Sequence, residues 1–188
     1  MKELKCGLSC VMKIRTALIP ELTVAKFRRM KDVVDLNPPY QREGGIWGID
    51  TRAGLIDSIL NGLDLPKLYF EKESSRRLTA AGLTYQYAVI DGKQRLEAIT
   101  SFLSGDLRLA DDFRYFEDEN VRAERLTLPE LQERYPTLAQ RFLDYELPIV
   151  SVTSDSGDLI EEMFQRLNAS SSLNAAERRN AISGTTRE

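Results

Sequence analysis

Apolar positions change spacing repeatedly along this chain, and each change marks an element. Val24, Phe27 and Met30 recur at helical intervals and predict a short helix over 24–31, with Thr23 as its cap. The apolar run 33–36 predicts a strand, which Pro38 and Pro39 end by holding the next residues extended. Leu55, Ile56, Ile59, Leu60 and Leu63 form one stripe of a helix over 51–63, stopped before Pro66. Residues 67–72 and 84–90 read as strands joined by a polar surface loop, 73–83. Helical spacing returns after Asp91-Gly92, through Leu96, Ile99, Phe102 and Leu103, and stops at Ser104-Gly105. Leu107, Leu109, Phe113 and Tyr115 suggest a small hairpin or extended pair. Residues 127–144 predict a helix broken near Pro136, 147–152 a strand, and 158–168 and 175–183 helices separated by a Ser-rich turn. Short strands mixed with separate helices predict an α+β fold rather than a long alternating parallel sheet.

Composition narrows the chemistry. The chain has 188 residues, 42% hydrophobic and 29% charged, as in a globular protein with one domain and room for a helical subdomain. No apolar run approaches the roughly 20 residues that span a bilayer, and the apolar patch 7–12 is too short for a signal-peptide core. A cytoplasmic location is expected. Cys6 and Cys10 read as incidental thiols. The sequence contains no histidine, which excludes from it Ser-His-Asp and Cys-His centres, His-based zinc hydrolases and HNH-type nuclease centres. Catalysis here would have to use carboxylates, Lys, Arg, amides or an oxygen-bound metal. The net charge is −3, but residues 1–31 hold eight Lys/Arg against two acids. That segment is either a contact for a polyanion or a solvated basic face.

The stretch 87–99 carries the sharpest chemical signal. Tyr-Ala-Val-Ile reads as a buried strand, Asp91-Gly92 as a tight turn, and Lys93 onward as a helix. Such a helix start aims free N–H groups forward, and with Lys93 and Arg95 in its first turn the natural occupant is a phosphate. Asp91 could cap the helix, hold a metal ion or orient a water; Gln94 could position water; Arg95 could bind a phosphate bidentately. An Asx-capped helix with solvated polar residues explains the same pattern.

Two further stretches share this polar, adaptable character. Asn37 to Arg42 is a rigid Pro-Pro-Tyr-Gln-Arg loop, followed by Trp47 among glycines. Its aromatics either stack a base or anchor the loop on the core. Phe164-Gln165-Arg166-Leu167-Asn168 is followed by Leu173-Asn174 and Glu177-Arg178-Arg179-Asn180-Ala181. Asn174 and Glu177 form a capping box, which leaves Arg166, Asn168, Arg178 and Asn180 as a polar cluster.

In this order the three stretches resemble the N-terminal ParB-like domain of GmrSD-type modification-dependent restriction endonucleases. The resemblance runs from about Val33 to Ala181. It implies a ParB/sulfiredoxin-like α+β fold, a small mixed sheet with flanking helices, and a regulatory domain of a phage-defence system that binds and hydrolyses a nucleoside triphosphate, coupled to sensing modified DNA. By match, Asp91, Gly92, Gln94 and Arg95 belong to the family motif, with Gln41 and Arg42 facing them; the expected catalytic residues are Asp91, Gln94 and Arg95, with Asp91 holding Mg2+ or orienting water. Gln41, Arg42, Gly92, Lys93 and Arg95 become the nucleotide-binding set, with Arg166, Asn168 and Asn180 in support. The chain departs from the family pattern at Lys93, where Gln is usual; lysine still suits a phosphate. The implied partners are DNA and an HNH-type nuclease domain or subunit, and a homodimer is compatible with the pattern. The expected organisation is a basic segment over 1–22, a ParB-like nucleotide-binding domain over 23–152, and the start of a helical subdomain over 153–188, read as truncated. Two alternatives stay open: a non-catalytic ParB-like module that binds nucleotide and DNA, and a metal-dependent nuclease using Asp91 with Asp64.

Overall fold

A computed structural model describes residues 13–41, 46–72 and 77–167. Its centre is a mixed five-stranded sheet in the order β1-β5-β3-β4-β2. The strands are β1 (Ile14–Leu18), β2 (Val34–Asp35), β3 (Leu68–Lys72), β4 (Tyr87–Asp91) and β5 (Ile149–Ser154). β1 runs antiparallel to β5, β5 parallel to β3, β3 antiparallel to β4, and β4 parallel to β2. The fold is therefore α+β, as the pattern predicts. β1 has no counterpart among the elements read from the sequence: it is an edge strand exposed on both faces, so its residues lack a burial alternation.

Alternation along the inner strands sends side chains to two different layers. Leu68, Phe70, Val89 and Ile149 face the main core, built with α1 (Val24–Met30), α2 (Ile49–Leu60), α3 (Lys93–Leu103), α4 (Leu128–Arg134) and α5 (Pro136–Asp144). Tyr69, Ile90 and Val152 face the other side, where helical residues 157–167, here α6, contribute Ile160, Met163 and Phe164. The sheet thus lies between helical layers.

Local chemistry explains most element ends. Thr23 caps α1, its side chain accepting from the Lys26 N–H. α4 carries a full capping box between Thr127 and Glu130, and Pro136 opens α5 where the sequence predicts a break. Phe102 of α3 and Phe142 of α5 meet edge to face, with centroids 4.9 Å apart.

Two local expectations are corrected. Leu63, assigned to the buried stripe of the second helix, lies beyond the end of α2 and is 46% exposed. The helix ends at Leu60 because Asn61 and Gly62 turn the chain, with Gly62 at φ 68°. Leu107 to Tyr115 forms no hairpin strands. The chain instead closes a wide loop, with Leu109 donating to the Leu126 carbonyl and Arg125 to that of Ala110. Leu107, Leu109 and Phe113 enter the core while Arg108, Asp111, Asp112 and Arg114 stay exposed, so the segment buries its apolar residues without pairing as strands.

Candidate functional site

β2 and β4 are parallel neighbours, with Asp35 beside Ala88, so their C-terminal ends leave the sheet on the same side. This brings the loop after β2 against the turn after β4. Ligands in open α/β sheets favour this kind of place, outside the carboxyl ends of parallel strands.

Gly92 is the hinge of the turn. It has φ 102° and ψ 10°, in the left-handed region, and is the N-cap of α3. A Cβ there would come within 2.1 Å of Leu68 Cδ2 on β3. Glycine is therefore required both by the backbone and by the neighbouring strand. Among the described residues no side chain caps α3, so the sequence option of an Asx cap from Asp91 is not taken. The first N–H groups of the helix have no intrahelical acceptor and point outward from its positive end.

The side chains of the turn are held individually. Asp91 Oδ2 pairs with Arg95 at 2.6 Å. The same guanidinium donates to the carbonyl of Lys67 at 3.2 Å and to that of Pro66. Lys93 Nζ donates to Asn37 Oδ1 at 2.5 Å and lies 4.0 Å from Glu97. Gln94 Oε1 accepts the Trp47 N–H at 3.0 Å, which ties the start of α3 to the segment leading into α2. The N-cap of α2, Gly48, also lacks a side-chain cap.

The loop after β2 is fixed in turn. Gln41 Nε2 donates to the Val89 carbonyl at 3.4 Å, while its Oε1 is buried without a partner among the described residues. A buried amide oxygen left unpaired costs free energy unless something donates to it. Asn37 N–H bonds Asp35 Oδ1 at 2.9 Å, and Asp35 is buried and paired with Arg77 at 2.6 Å. The aromatics pack: Tyr40 lies 6.1 Å from Phe164 and bonds Glu71, and Trp47 rests on the main core.

Gln41, Gly92, Lys93, Gln94, Asp91 and Arg95 are thus gathered at one end of the sheet. Arg42, Asn168 and Asn180 lie outside the described residues. Arg166 is 79% exposed and pairs with Glu162 one turn back on α6. Asn37 joins the site through its bond to Lys93, a tertiary contact that nothing in its local sequence signals. An open groove lined by Tyr115, Glu117, Tyr135 and Arg141 shares no residue with this cluster. There Arg141 and Tyr115 both bond Glu117, which holds that carboxyl below its usual range and pins the 115–117 segment to α5.

Among the described residues no group of three or more His, Cys, Asp or Glu is placed to hold a metal. Asp91 brings one carboxylate. That fits Mg2+, which commonly binds through one or two carboxylates together with substrate phosphates.

The fold and this turn define an α+β domain with an uncapped, glycine-hinged helix start at the end of a parallel strand pair. A family model described as the N-terminal domain of GmrSD restriction endonuclease matches residues 24–183. The chain belongs to that family, which makes it a component of a DNA restriction system. Neither a curated protein nor a solved structure matches it. Among the described residues no helix is long and apolar enough to cross a membrane.

Proposed function

We propose that this chain is the nucleotide-binding regulatory domain of its restriction system, with a ParB-like fold, and that it hydrolyses a nucleoside triphosphate in response to modified DNA. The observation that carries the reading is the start of α3. An uncapped helix N-terminus at a left-handed glycine stands beside Lys93, whose ammonium is held by Asn37. Backbone N–H groups plus a lysine are the elements of a phosphate cradle.

On this reading the phosphates lie on the amides of α3 with Lys93 beside them, and Arg42 adds a second cation from the loop after β2. The buried Oε1 of Gln41 accepts from a ribose hydroxyl or a base amino group. Asp91 is the residue that would hold Mg2+, which when bound supplies charge neutralisation on the phosphate oxygens. Gln94 orients the attacking water, once its amide is released from Trp47. Asn168, Asn180 and Arg166 support the site from the C-terminal segment. The partners are DNA and an HNH-type nuclease, either fused or separate, with a homodimer as a natural assembly.

One observation favours a second reading, binding without turnover: Gln94 Oε1 is already bonded to the Trp47 N–H. Phosphate release separates the two. Incubation with GTP, ATP or CTP and Mg2+, with and without glucosylated, methylated or plain DNA, should release phosphate faster with one modified DNA. Saturable nucleotide binding with no release under any of these conditions would establish the non-catalytic alternative.

A further inference from the structure

We propose that the two cations of the turn have separate tasks: Lys93 meets the ligand, whereas Arg95 is a positioning residue that acts through Asp91. The proposal rests on the nucleotide reading above and assigns roles within that site.

The Arg95 side chain is 11% exposed, against 25% for Lys93. Its guanidinium has three acceptors within the protein: Asp91 Oδ2 and the carbonyls of Pro66 and Lys67. Those two carbonyls belong to the segment leading into β3. The next residue, Leu68, fills the space in which Gly92 has no side chain. Residues 66–68 therefore form a floor under the turn, fixed to it at two points, by packing at Gly92 and by the Arg95 fork. A planar guanidinium can satisfy a carboxylate and two carbonyls together, and a lysine ammonium cannot reproduce that fork. The bond also fixes Asp91, leaving its Oδ1 without a partner among the described residues. Lys93 is built differently. Asn37 takes one of its three donors, and Glu97 stands at 4.0 Å, so donors remain for an anion.

Calorimetric titration of nucleoside triphosphate with Mg2+, phosphate release and melting temperature would be compared for wild type, Lys93→Ala, Arg95→Ala, Arg95→Lys and Asp91→Asn. Lys93→Ala should weaken affinity by about tenfold or more with an unchanged melting temperature. Arg95→Ala and Arg95→Lys should lower turnover by about tenfold or more while affinity moves less than about threefold, and Asp91→Asn should reproduce that split. Arg95→Lys covers the case in which the alanine variant does not fold. If wild type binds nucleotide without turnover, the split is read from the Mg2+ concentration at half-maximal binding, which loss of Arg95 should raise and loss of Lys93 should not. An Arg95→Ala affinity loss matching that of Lys93→Ala, or full rescue by Arg95→Lys, overturns the division. If wild type binds no triphosphate, the nucleotide reading fails, and the brace is judged by amide exchange. Arg95→Lys should then speed exchange at 66–68 and 92–95 selectively; unchanged exchange there overturns it.

Discussion

Gly92 shows how much one residue can fix. Its left-handed backbone disfavours any side chain, and Leu68 occupies the place of the missing Cβ at 2.1 Å. Gly92→Ala should therefore destabilise the domain by about 3 kcal/mol or more, combining backbone strain with a clash against β3. Urea denaturation measures this; a loss below about 1 kcal/mol would mean that the turn relaxes freely. The sequence made the turn legible, because Asp-Gly between an apolar run and a helical pattern has a local cause. The contact with Leu68 was not legible, since it arises from sheet pairing.

Asp57 is a second case at this scale. One of its oxygens is buried on α2 without a partner among the described residues, and burial pushes its pKa up from 3.8 to about 6, the Ala110 amide working against this and the Asp112 charge with it. A raised folded-state pKa means that the group contributes most to stability below about 3.8 and loses that contribution as the pH rises through about 6. Asp57→Asn should match wild type near pH 3.5 and exceed it at pH 8 by about 1 kcal/mol, a value discounted for partial solvent screening. Equal stabilities across that range by denaturant titration would contradict the assignment. Nothing in 51–63 signals this behaviour, because its neighbours come from 110–112.

At the scale of elements, capping and packing divide the work. α4 and α5 are separable in the sequence because Thr127, Glu130 and Pro136 act within one or two turns of themselves. The stretch 104–127 was harder to read, since Leu107, Leu109, Phe113, Ala123 and Leu126 enter the core without a regular period while Phe116 stays exposed. β1 was missed because an edge strand exposed on both faces leaves no alternation to detect. α3 and α5 are joined by the buried pair Phe102 and Phe142. Phe142→Ala should cost about 3–5 kcal/mol, and Phe142→Leu clearly less, by thermal and urea denaturation. Equal costs would mean that the loss follows the missing aromatic contact and not the volume of the cavity left behind.

For the whole molecule, the parallel pairing of β2 with β4 matters most. It delivers Asn37 and Gln41 to the turn carrying Asp91 to Arg95, though some fifty residues separate them. The motif residues were visible in the sequence, and so was their order. Which of them face outward was not, because Arg95 and Gln94 take their partners from Pro66, Lys67 and Trp47. Membership of the GmrSD N-terminal domain family sets the biological frame, DNA restriction, and the turn supplies the chemistry proposed within it. The most direct test is calorimetric titration of GTP, ATP and CTP, each with Mg2+, into the wild-type chain and Lys93→Ala. The account predicts saturable binding of at least one nucleotide, weakened by about tenfold or more when Lys93 is removed. Absence of saturable binding for all three, or binding indifferent to Lys93, would contradict it.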